Sequence, residues 1–110
     1  MSVKFTSHAS EVKSAANAAI SRAAEIIGGM AESYAKGYAP VDTGNLRNSI
    51  SHTTEDNGHT VVIGTNVQYA PYQELGAPNV HVPAHPFLRP AIENHISEYQ
   101  GVLKRELSRG

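Results

Sequence analysis

The chain has 110 residues, 40% of them hydrophobic and 17% charged, with a net charge of −1; this balance fits one soluble domain with a modest core and excludes a disordered chain. It has no cysteine, which excludes disulfide frameworks, thiolate metal sites and cysteine nucleophiles, and no apolar run approaches the roughly 20 residues of a membrane span. Residues 39–85 hold Arg47 alone against Asp42, Glu55, Asp56 and Glu74, and no basic stripe of the kind that neutralises phosphates is evident, so direct nucleic-acid binding is not expected.

The first nine residues lack the apolar stretch of a signal peptide. They are expected to be flexible, in a protein made and kept in the cytosol. From Ser10 to Tyr38, Val12, Ala16, Ala19, Ala23, Ile27, Met30 and Tyr34 recur in steps of three and four, which predicts one amphipathic helix with Ser10 as its N-cap. Such a helix spans roughly 45 Å, more than so small a core requires. Its alanine-rich stripe allows close approach of another helix or chain. The pair Gly28-Gly29 costs about 1 kcal/mol per residue relative to alanine and leaves two readings open. One is a core helix with a weak point, bent or broken there; the other is a helix whose far half packs on a neighbouring subunit.

Pro40 stops this helix. Asp42 is placed to cap a short turn running through Asn48, with Gly44 relaxing the backbone. Ser49–Thr54 reads as a strand, Asn57-Gly58 suits the positive φ values of a type I′ hairpin turn, and His59–Asn66 reads as a second, β-branched strand. Tyr69–Leu75 can form one helical turn, stopped by Gly76 and Pro78. The proline-spaced run Asn79–Pro86 is extended and fits a sheet only as an edge strand. A last amphipathic helix from Arg89 to Leu107 follows from the stripe Leu88, Ile92, Ile96, Tyr99, Leu103 and Leu107, with Pro90 in its first turn. The order predicts an α+β domain over residues 1–110: a long N-terminal helix and a C-terminal helix packed on a small antiparallel β-sheet, a hairpin plus one extra strand. Such a sheet leaves edges that need cover or serve to pair with another chain.

The chemistry-bearing residues favour no reaction. His81 and His85 are four apart, but Pro83 between them opposes a helix, and in an extended segment they stand roughly 12–13 Å apart, too far to share one ion. The six histidines form no HExxH pattern, and neither a GxSxG elbow nor a glycine-rich phosphate loop is present. No catalytic residue, cofactor or metal site is therefore expected, and the chain is read as a non-enzyme. Arg89 fits a helix-start residue and an interface ion-pair arm equally well. Tyr69, Tyr72 and Phe87 flank turns, where aromatics either pin loops to a core or serve an interface.

Three blocks, "PVDTGNLRNSI", "VVIGTNVQYAPYQELG" and "PAHPFLRPAIE", stand in that order behind a long helix. In this arrangement the chain resembles, over roughly residues 10 to 107, the HK97 gene-product-10-like family of phage tail-completion and neck components. It departs at His85, where members often carry arginine before Pro-Phe. The resemblance implies a structural virion protein of a long-tailed phage or prophage, made in the host cytoplasm. It further implies a ring, expected to be a hexamer, that docks to the tail-tube protein and to head-closure or connector proteins. On this resemblance Asp42, Thr43, Gly44 and Leu46 are expected to shape the turn from helix to sheet. Tyr69, Ala70, Glu74 and Gly76 are expected to form the loop after the second strand. Pro86, Phe87, Leu88, Arg89 and Pro90 are expected to lock the final helix against that loop, with Phe87 as anchor. The competing reading is a small non-enzymatic protein-binding module unrelated to virion assembly.

Overall fold

The computed structural model describes residues 2–6, 14–39, 44–66, 75 and 86–109, without the side chains of 14–16 and 44–45. Within them the elements are β1 (Ser2–Thr6), α1 (Ser14–Tyr38), α2 (Gly44–Ser49), β2 (Ser51–Glu55), β3 (Thr60–Gly64), α3 (Leu88–Glu93) and α4 (Ile96–Arg109). The fold is α+β, as the sequence pattern predicts. Helices pack on one face of an antiparallel three-stranded sheet of order β1-β3-β2.

The sheet's third strand comes from an unexpected place. Part of the N-terminal segment read as flexible is β1, antiparallel to β3 with Val3 opposite Ile63 and Phe5 opposite Val61. The physical reason lies in "SVKFT", whose Val3 and Phe5 alternate with Ser2, Lys4 and Thr6. The apolar pair turns inward against the core while the polar residues face out. The edge strand expected over Asn79–Pro86 lies outside the described residues, apart from Pro86, which is exposed and in no element.

Helix α1 runs through Gly28-Gly29 without interruption. Its buried residues are Ala19, Ile20, Ala23, Ala24, Ile27, Ala31 and Ala35, with Ala39 buried just past its end, so the far half packs inside its own chain and the helix is not broken at the glycines. From Ile27 onward the buried track steps by four through alanines. Met30 and Tyr34, expected in the stripe, flank the core half-buried.

The hairpin turn has four residues rather than two. Asn57 (φ 57°) and Gly58 (φ 89°) carry the expected positive φ, but Asp56 (φ 55°) does too, and the His59 amide donates to the Asp56 carbonyl at 3.1 Å. Asp and Asn tolerate this region better than most residues. At Gly58 a side chain would also collide with α1, because an added Cβ would lie 2.9 Å from the Ser21 Cα.

The C-terminal helix is two helices. The Asn94 amide bonds back to the Pro90 carbonyl (3.0 Å) and the His95 amide to that of Ile92 (3.3 Å), which ends α3 before α4 begins. Leu88, Ala91 and Ile92 are buried on α3 and Tyr99, Val102 and Glu106 on α4, while Ile96 is exposed. Steps of four drift by about 40° each on a helix of about 3.6 residues per turn, which carries the predicted stripe off the buried face at Ile96. Phe5 meets the edge of the Tyr99 ring at 5.8 Å, which joins β1 to α4 across the core.

Candidate assembly surface

Three groups of side chains tie α1 to its neighbours, and each has its own chemistry. On the sheet side, β2 is "SHTTE" and has no aliphatic residue. Its inward positions are His52 and Thr54, aligned with Ile63 and Val61 of β3. The His52 ring lies so close to α1 that an added Cβ on Gly28 would sit 2.4 Å from it. Nδ1 of His52 is 3.0 Å from Glu32 Oε1, and Nε2 is 3.3 Å from Glu25 Oε2. The other oxygen of Glu32 accepts from Lys36 at 3.1 Å. Partial burial opposes charging of His52, but the bonds and charges of Glu32 and Glu25 outweigh it and hold its pKa above the ordinary histidine value. Glu32 is the complement: burial pushes its pKa up, and His52 and Lys36 together bring it below the ordinary carboxylate value.

Where α3 breaks into α4, His95 stacks on Tyr34, with ring centroids 3.6 Å apart and planes 5° apart. Tyr38 Oη lies 2.7 Å from His95 Nε2, Glu98 bonds to His95 Nδ1, and Tyr34 donates to Glu98 at 2.9 Å. The bonds from His95 and Tyr34 hold the Glu98 carboxyl below its usual range, and that same carboxylate raises the Tyr34 phenol. Burial raises the Tyr99 phenol strongly, and its hydroxyl donates to the Ala91 carbonyl. Two helices and their junction are thus fastened through aromatic faces.

Near the C-terminus Glu106, 1% exposed, accepts from Arg22 of α1 at 3.3 Å and from Arg109 at 3.2 Å, with Arg105 at 3.6 Å. Burial alone would raise its carboxyl, but Arg22 and Arg109 bring it below the usual range.

Among the residues singled out from the sequence, Leu46, Phe87 and Leu88 are fully buried. Phe87 immediately precedes α3, with Leu88 its first residue and Pro90 in its first turn. Arg89 lies 4.0 Å from Glu93 and borders an open groove of about 310 Å³ with Val3, Lys4, Ile92 and Glu93, where β1 runs along α3. Gly44 opens α2, whose Ser49 bonds the Leu46 carbonyl (2.7 Å) and the Thr65 hydroxyl, fastening the helix to the end of β3. Asp42, Thr43, Tyr69, Ala70, Glu74 and Gly76 lie outside the described residues, as do His81 and His85. The sequence reading passed over His52, Glu25, Glu32, His95 and Glu106. Glu25 and Glu32 are seven apart, on one face of a helix, but their partner is visible only once β2 is folded against that face.

Among the described residues no group of three or more His, Asp or Glu could hold a metal ion. Fold and contacts define a small α+β domain whose polar clusters bind its elements together. The chain belongs to the HK97-gp10-like family, described as "Bacteriophage HK97-gp10, putative tail-component", which matches residues 3–76. The match takes in β1 and the first two sequence blocks and ends before "PAHPFLRPAIE". No curated protein and no solved structure matches the chain. Membership gives the chain a structural role in a phage tail, within the virion, and points away from catalysis.

Proposed function

We propose that the chain completes the tail, at the tube's end or at the head–tail joint, as one subunit of a closed ring, with six copies matching the sixfold symmetry expected of a long tail. The supporting observation is the sheet. Among the described residues its order leaves β1 and β2 as two different edges, flanking β3 on opposite sides. A ring needs a heterologous interface, in which one surface of each subunit meets a different surface of the next. Two unlike edges supply such a pair, and unpaired strand edges are surfaces on which chains associate. The tail-tube protein and the head-closure or connector proteins are the partners of the ring's two faces.

The test is light scattering coupled to size-exclusion chromatography, on the purified chain alone and after mixing with tail tubes that lack it. A ring-sized species in either sample, or rings capping the tubes in electron micrographs, is the expected result. A chain that stays monomeric and leaves the tubes bare sinks the proposal.

A further inference from the structure

We propose that Glu25, His52 and Glu32 form a proton-dependent latch between α1 and the edge strand β2, closed while the imidazole is protonated and loosened when it is neutral. The geometry requires the charge. A neutral imidazole has one N–H and one lone pair, whereas an ionised carboxylate only accepts. Both His52 nitrogens face carboxylate oxygens, at 3.0 and 3.3 Å, so only the doubly protonated ring satisfies both. A neutral ring would set its lone pair against one carboxylate. Turning away is restricted by α1, because the ring occupies the space that a Cβ on Gly28 would take.

The strand gives the latch its importance. Within "SHTTE" no side chain offers an aliphatic anchor, and the half-buried inward residues are His52 and Thr54. By contrast β3 buries Val61 and Ile63. Among the described residues, the ion-paired ring ties β2 to the helix, beside the ladder to β3. Among the described residues, few charged groups face the ring. From α1 come Glu25 and Glu32, with Lys36 behind Glu32, and the β3 residue aligned with it is the uncharged Ile63.

The sign follows from linkage. A histidine pKa raised in the folded state gives a contribution that is complete below the unfolded value of about 6.5 and is lost as pH rises through the folded one. Glu32, lowered from 4.5, gives a contribution that is complete above that value and is lost on acidification through the folded one. The latch is fully closed between these limits. This inference concerns the isolated domain and stands whether or not the chain forms rings.

The experiment combines nuclear magnetic resonance titration of the His52 ring with thermal unfolding at pH 6 and pH 9. In the wild type, His52 is expected to titrate above the ordinary histidine value. The melting temperature is expected to drop from pH 6 to pH 9 by a few degrees more than in His52→Gln, which retains a polar side chain without a titrating one. Should His52→Gln fail to fold, Glu25→Gln at an exposed position serves instead and is expected to lower the His52 midpoint. A His52 midpoint at or below the ordinary value overturns the latch. So does an equal pH dependence in wild type and His52→Gln, or an unmoved midpoint in Glu25→Gln.

Discussion

Helix α1 carries a histidine contact on each of two sides, and the two are built differently. Against the sheet, His52 lies close against Gly28 with a carboxylate at each nitrogen. Against the C-terminal helices, His95 stacks on Tyr34, with Glu98 at one nitrogen and the Tyr38 hydroxyl at the other. A hydroxyl both donates and accepts, so the second histidine keeps its hydrogen bonds in either protonation state. The first keeps both only when charged. The contact of β2 with α1 therefore depends on charge and close approach, and that of the C-terminal helices on aromatic and apolar burial. That difference follows from composition: β2 offers no apolar side chain, whereas Phe87, Leu88, Ile92, Tyr99 and Val102 in and just before the C-terminal helices are buried.

The largest expected effect tests the apolar side. Phe87 is fully buried at the entry to α3, and Phe87→Ala is expected to destabilise the protein by about 3–5 kcal/mol, measured by urea unfolding. A loss under about 1 kcal/mol would mean that Phe87 is no anchor and that the helical side rests on its polar bonds. Next comes a pair of neighbours on α1. Gly28→Ala drives a methyl into the His52 ring and is expected to cost about 1–3 kcal/mol as overpacking, partly offset by the better helix propensity of alanine. Gly29→Ala meets nothing within 4 Å and is expected to stabilise by up to about 1 kcal/mol. Equal changes of the same sign in these two variants would show that the approach of His52 to the helix does not matter.

Much of this arrangement is legible in the sequence, and the parts that are not share a cause. The periodicity of α1, its end at Tyr38, the positive φ at Asn57 and Gly58 and the burial of Phe87 are local properties, set by a residue and its near neighbours. The strand β1 was equally local: alternation in "SVKFT" announces it, but five residues at a chain end carry a weak signal beside the long helix. The break at Asn94-His95 is different. The predicted stripe through Leu88, Ile92, Ile96 and Tyr99 is self-consistent, and only packing against α1 shows that Ile96 turns outward while Glu106 turns in. The histidine contacts between α1 and its neighbours join residues 20, 27, 57 and 61 positions apart, and no spacing rule reaches across such separations. The same holds for Glu106, which reads as an ordinary surface glutamate until Arg22, 84 residues away, closes over it.

The smallest expected effect separates stacking from hydrogen bonding at the helix side. His95→Phe preserves a flat ring against Tyr34 but removes the bonds to Glu98 and Tyr38. Both former partners remain partly accessible, since Glu98 is 45% exposed and Tyr38 only half-buried, so water can replace what is lost. The expected cost is therefore about 1 kcal/mol, the net value of a hydrogen bond rather than the penalty of a stranded buried group. His95→Ala, which also removes the stacked ring, is expected to cost more, and the difference between the two variants in urea unfolding measures the aromatic share. Should the two cost the same, the stack contributes nothing and the helix side is held at this point by polar bonds, as β2 is. The contrast between the two sides of α1 would then reduce to the burial of Phe87 and its apolar neighbours.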